Sequence, residues 1–216
     1  LRCDAKRAEK RFEDLEKMLS SVASFEIGDY LPKPFIKGSQ PSYLQVYDPS
    51  AVPVVNTLSI RDLSINLETC RFISEDDFEA LSNDKKLRSG DVLLTMDGGT
   101  SIGKPVLFNL EGDFTVDSHV AILRPEGIQP RALVYLLASP LGQIQFELAE
   151  SGASGQTAVT EDDVRRFRFP KIGLDRLTDL VNKLDETRTE IEEQRQTLED
   201  KEKEAWDKFY ISMLQI

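Results

Sequence analysis

The sequence predicts an α+β fold: a domain with a mixed or antiparallel twisted sheet and short helices, followed by a long helix of coiled-coil type. Three observations carry this prediction. Residues 174 to 214 contain no Gly or Pro and consist largely of Leu, Glu, Lys, Arg, Gln and Thr, the composition of one uninterrupted helix. Residues 52 to 125 hold short β-type runs separated by Gly, Asp, Asn and Pro. Residues 130 to 149 read as two short helices broken at Ser139 and Pro140.

Taken in chain order, residues 1–24 are expected to form an amphipathic helix, because Ala5, Ala8, Phe12, Leu15, Leu19 and Val22 recur at alternating spacings of three and four. Residues 25–171 form the α+β domain. Its candidate strands are "VPVVNTL" (52–58), "DVLLTM" (91–96), "PVLFNL" (105–110), "FTVD" (114–117) and "HVAILRP" (119–125). The acidic clusters "SEDDFEA" (74–80) and "TEDDVRR" (160–166) are helix starts, with Ser74 and Thr160 as N-caps and carboxylates favoured by the first-turn dipole. Residues 172–216 form the long helix, about 60 Å at roughly 1.5 Å per residue. Leu177, Leu184, Ile191 and Leu198 recur every seven residues along it, while the companion lane at Val181, Arg188, Arg195 and Glu202 turns polar. One coiled-coil seam position is therefore kept, which suits a helical partner. Trp206 and Phe209 belong to an apolar end that needs a covering surface.

Composition narrows the function classes. No apolar run approaches the roughly 20 residues that span a bilayer, and residues 1–20 mix both charge signs, so the expectation is a soluble, cytoplasmic protein with no membrane association. Two separated cysteines, Cys3 and Cys70, and the single His119 do not make a zinc site. The chain starts at Leu1, which leaves open whether it is a piece of a longer polypeptide. Its net charge of −11 opposes simple nucleic-acid binding, and residues 26–170 are the most acidic stretch, with 13 basic against 21 acidic side chains.

"MDGGTSIGKP" (96–105) approaches a phosphate-binding loop, but Pro105 stands where the magnesium-binding Ser or Thr belongs, and a strand rather than a helix follows. Its glycines instead suit a tight loop between strands. Asp117, Ser118 and His119 are consecutive in a strand, where neighbouring side chains point to opposite faces, so they make no triad by themselves. Nothing else assembles a catalytic group, and the chain reads as non-catalytic.

With those residues in view, the middle region resembles the target recognition domain of the specificity subunit of type I restriction–modification systems. Four segments carry the resemblance in the family's order. "IKGSQPSYL" (36–44) with "VPVVNTLSIRDLSIN" (52–66) resembles the opening loop and first strand. "LRSGDVLLTMDGGTSIGKPVLF" (87–108) is similar to a Gly-Asp strand with a glycine loop. "DSHVAILRPEGIQPRALVYLLASPLGQIQFE" (117–147) is similar to a strand and helix pair, and "SGASGQTAVTEDDVRRFRFP" (151–170) to a Gly-Ser loop, capped helix and closing strand. The long helix stands where the family places its spacer.

The resemblance implies a non-catalytic subunit that reads half of a bipartite site on double-stranded DNA and docks methyltransferase subunits through its helices. S-adenosylmethionine and ATP with magnesium would belong to partner methyltransferase and restriction or motor subunits, with no cofactor in this chain. The family carries two recognition domains, whereas this sequence has one, so it implies a half-length subunit acting as a homodimer, or a fragment. A recognition domain of a fused adenine methyltransferase or restriction enzyme is the alternative, and a coiled-coil interaction protein without DNA binding is the rival from another class. On this reading the base-edge readers are Ser39, Gln40 and Tyr43, then Thr100 and Ser101, then Ser151, Ser154 and Gln156. Gly98 and Gly99 let backbone approach closely, and Lys37, Arg61, Lys104 and Arg124 would neutralise phosphates. The partner surface is Leu177, Leu184, Ile191, Leu198, Trp206 and Phe209.

Overall fold

The computed structural model describes residues 10–46, 48–98, 101–150 and 158–214. They divide into two compact units, Leu1–Ile172 and Gly173–Ile216. The first unit runs α1 (Lys10–Ser21), β1 (Ser24–Glu26), β2 (Ile36–Lys37), β3 (Val52–Val55), β4 (Ile60–Arg61), β5 (Ser64–Ile65) and β6 (Arg71–Ile73). It continues with α2 (Glu75–Glu79), β7 (Val92–Thr95), β8 (Pro105–Leu107), β9 (Thr115–Val116), β10 (Val120–Leu123), α3 (Pro130–Ala138), α4 (Pro140–Ala149), α5 (Glu161–Arg165) and β11 (Arg168–Pro170). The second unit is α6 (Leu174–Leu214), a single helix of 41 residues over the span the sequence predicts.

The sheets are mixed. An antiparallel sheet has the order β2-β10-β7-β8, and a second has the order β6-β3-β9, with β3 antiparallel to β6 and parallel to β9. Two short antiparallel pairs, β1-β11 and β4-β5, complete the set. All four residues of β7 and all four of β10 are buried, so these strands are covered on both faces. Their alternation assigns each side chain to a layer. Val92, Leu94, Ala121 and Leu123 pack with Leu133, Val134 and Leu137 of α3 and Phe146 of α4. Leu93, Val120 and Ile122 point the other way, onto Val55, Val106, Phe108, Phe114 and Val116. At roughly 1.5–3 kcal/mol for each large apolar side chain buried, these two layers fix the register of the central strands.

Local chemistry places the remaining elements. Ser139 ends α3 and caps α4, its Oγ accepting the Gly142 N–H at 3.1 Å, while Pro140 opens α4 at a position that needs no N–H donor. Ser74 caps α2, and Thr160 forms a capping box with Asp163 on α5, as their acidic first turns predict. The stripe on α1 buries Phe12, Leu15 and Leu19, with α1 packed on α4 and β11. The heptad reading of that helix is accordingly satisfied, for these three residues, within its own unit.

Candidate nucleic-acid interface

Strand directions bring separate sequence segments to one end of the antiparallel sheet. Strands β2 and β7 finish there and β10 and β8 begin there, because neighbours in the order β2-β10-β7-β8 are all antiparallel. This end therefore collects Lys37 to Gln40, Met96 to Gly98, Ser101 to Lys104 and Asp117 to His119. Among the described residues, six of the expected DNA-facing positions gather here: Ser39, Gln40, Gly98, Ser101 and Lys104, and the exposed Lys37 at the end of β2.

The first loop is held by close backbone contact. Gly38 donates its N–H to Val120 O at 3.4 Å, and a Cβ built on it would lie 2.0 Å from Asp117 O and 2.2 Å from Val116 O. No larger residue fits. Beyond it, Ser39 bridges Asp117 and its Oγ accepts a 2.6 Å hydrogen bond from Lys85 Nζ. Gln40 is exposed, and its Oε1 accepts the Ser118 hydroxyl at 3.0 Å, which links the β2 loop to the start of β10.

The glycine loop is organised by a buried threonine. Thr95 Oγ1 donates to the Ser101 carbonyl and accepts the Lys104 N–H at 2.9 Å, while Thr95 O accepts the Gly103 N–H at 3.0 Å. Gly98 and Gly103 have φ of 105° and 76°, the left-handed region expected of this loop's glycines. Lys104 Nζ reaches Ser101 Oγ at 3.4 Å. The chain after Lys104 enters β8, so the helix required by the phosphate-loop alternative is absent at this place. Gly99, Thr100, Ser151, Ser154 and Gln156 lie outside the described residues. Ala158, next after that third loop, bridges Asp97, and Val159 donates its N–H to Met96 O at 2.9 Å, so the third segment returns to this same end.

Three expected positions are engaged in other contacts or placed apart. Tyr43 is partly buried against Val52, Val54, Ile73 and Phe78, with the Arg71 guanidinium 4.7 Å from its ring centre. Burial pushes its phenol up, with the Asp117 carboxylate adding to the shift and Arg71 opposing it. Arg61 is exposed on the β4–β5 hairpin, whose two-residue turn, Asp62 and Leu63, has φ of 49° and 64°. That is the backbone of a tight hairpin turn built without glycine. Arg124 follows β10, at the opposite end of the sheet, and its guanidinium bonds Asp91 and the backbone carbonyls of Asp84 and Lys86. That network makes the cation a structural clamp.

Sequence reasoning also passed over groups that the sheet end brings together. Asp97 Oδ1 pairs with His119 Nδ1, and Asp117 Oδ1 accepts the His119 N–H at 2.9 Å. Asp117 is buried, and desolvation pushes its carboxyl up against the opposing pull of the His119 N–H and ring. The signal that could have found the Asp97–His119 pair is strand pairing, since Val120 stands opposite Thr95 in the register.

On α6, Leu184, Ile191, Leu198, Trp206 and Phe209 are all exposed, whereas Leu177 is buried. The Trp206 and Phe209 rings meet edge to face, 5.8 Å apart. Among the described residues no helix is long and apolar enough to cross a membrane, and no group of three or more His, Cys, Asp or Glu could hold a metal ion.

No protein-family model matches the chain, and no curated protein does. Solved structures do match. A chain from a type I restriction–modification system, studied for complex assembly and conformational transition, superposes with a TM-score of 0.56 at 19% identity, over 87% of this chain and 49% of that one. The HsdS subunit from Thermoanaerobacter tengcongensis gives 0.54 at 20% identity, over 86% of this chain and 46% of that one. The type IIG restriction endonuclease BpuSI gives 0.57 at 10% identity, over 84% of this chain and 28% of that one. This chain thus shares the fold of a type I specificity subunit, and it spans about half the length of the type I chains it matches.

Proposed function

We propose that this chain is a DNA sequence-specificity module of a type I restriction–modification system. The observation that carries the reading is convergence at one sheet end: residues from four segments, remote in sequence, place polar side chains, two glycines with positive φ and the lysines Lys37 and Lys104 together. Amide and hydroxyl groups there supply donors and acceptors suited to base edges, and the lysines suit phosphates. The fold shared with HsdS supports the same role.

The module reads one half of a bipartite duplex site. A helix of about 60 Å is close to two turns of B-DNA at roughly 34–36 Å per turn, so α6 can set the distance to a second half-site. The exposed apolar residues Leu184, Ile191, Leu198, Trp206 and Phe209 suit helix–helix docking, either in a homodimer or against a methyltransferase subunit. Methyl transfer and ATP hydrolysis belong to those partners, and this chain supplies specificity. Because the domain is acidic, its own affinity is modest and leans on the basic surfaces of the assembly.

Mapping methylated adenines in host DNA with and without the gene tests the reading. One bipartite motif should disappear on deletion and return on complementation, whereas an unchanged methylation map overturns the proposal. The likeness to BpuSI favours a second reading, in which the same module is the recognition part of a fused restriction enzyme. A methyltransferase sequence continuous with this one in the same gene would decide for it.

A further inference from the structure

We propose that His119, oriented by Asp97, is itself a base-reading residue, using its Nε2 edge on one base pair of the major groove. The inference deepens the DNA-reading role and rests on it. His119 immediately precedes β10, which lies between β2 and β7 in the sheet, so the ring occupies the middle of the surface between the Gln40 loop and the glycine loop. Its backbone is pinned on both sides: the N–H donates to Asp117 Oδ1 at 2.9 Å and the carbonyl accepts the Met96 N–H at 3.0 Å. Its side chain is nonetheless 50% exposed and that of Asp97 35%. A rigidly held, half-exposed imidazole differs from a histidine that merely completes a buried network.

The pairing decides which edge is offered. A carboxylate oxygen can only accept, so the Nδ1–H of the ring faces Asp97, and Nε2, on the far side of the ring, is the edge left for a partner. As imidazolium, Nε2–H donates to an acceptor such as guanine N7. As the neutral ring, the Nε2 lone pair accepts from an amino group, the adenine N6 or cytosine N4 amine. The charged groups facing the ring are Asp97 from the end of β7 and Asp117 before β10, with Arg71 of β6 acting on Asp117. In either form the ring presents one edge and so reads one base position.

Selection of random duplexes by the full chain assembled with its methyltransferase partner tests this. The wild type should select a motif, and His119→Ala should lose discrimination, about tenfold, at one position alone while keeping the rest. Asp97→Asn should weaken the same position. Removing the contacted atom there, with 7-deazaguanine for guanine or purine for adenine, should cost the unmodified protein about tenfold, which needs no variant to fold. A motif unaltered in His119→Ala, or weakened evenly at every position, overturns the role of His119 while leaving DNA reading intact. A wild type that selects no motif in that assembly overturns both.

Discussion

Arg124 closes on Asp91 through two hydrogen bonds, Nε to Oδ1 at 2.8 Å and Nη2 to Oδ2 at 3.1 Å, tying the end of β10 to the start of β7. The Asp91 side chain is only 4% exposed, and its Oδ2 also accepts the Arg88 N–H at 3.0 Å. Arg124→Ala would leave that carboxylate buried without its cation. The expected cost is about 3 kcal/mol of stability, read by denaturant unfolding. The preferred DNA motif of the surviving folded protein should be unchanged. A stable variant with lost phosphate contacts would instead restore Arg124 to the DNA surface.

Gly38 is required by space rather than by a left-handed backbone. The backbone oxygens of Val116 and Asp117 occupy the volume that a side chain would take. Gly38→Ala should destabilise the chain by about 3 kcal/mol, the upper range for overpacking, because the obstruction is backbone that cannot rotate away. Thermal unfolding at matched protein concentration measures this. Wild-type stability in the variant would mean that the β2 loop does not lie against β9.

Lys104→Ala should weaken binding to all duplexes evenly and lower the salt slope by about one, because a phosphate contact carries no sequence information. Gln40→Ala, by contrast, should change which bases are selected while sparing the salt slope. Salt titrations with two unrelated duplexes separate the pair. Equal slopes for wild type and Lys104→Ala would remove Lys104 from the phosphate contacts.

Asp117 sets a pH dependence with a definite sign. Burial pushes its carboxyl above the usual range, so the folded chain keeps this proton to higher pH than the unfolded chain does. The stability linked to that proton is present below the ordinary carboxylate range and is lost as pH rises through the raised one. Asp117→Asn retains an acceptor for the His119 N–H and removes the titration. Its stability relative to wild type should therefore improve from pH 4 to pH 7 in urea unfolding. A difference that shrinks over that interval would contradict the assignment.

Much of this was legible in the sequence because the strongest signals are local. The runs 92–94 and 120–123 are apolar at every position and bounded by turn residues, which reads as strands covered on both faces, and Ser139-Pro140 has few uses other than to divide two helices. The β4–β5 hairpin was obscure because its turn, Asp62-Leu63, contains no glycine and draws on the packing of Leu63 against the core. The site divided along the same line. Glycines and polar loop residues announce themselves, but the partner of a charge does not: Asp91, which pairs with Arg124, lies 33 residues away. In the sequence His119 stands beside Ser118 and Asp117, whereas its side-chain partner, Asp97, comes from just beyond the adjacent strand.

The central claim is that one end of the antiparallel sheet meets DNA and the opposite end does not. A photo-crosslinking residue placed at Gln40, or in separate protein at Ser89 beside the Asp91–Arg124 clamp, tests it with a duplex bearing the selected motif; both positions are exposed. The account predicts a crosslink to DNA from position 40, competed by unlabelled cognate duplex, and none from position 89. Crosslinking from position 89 with none from position 40 would contradict it.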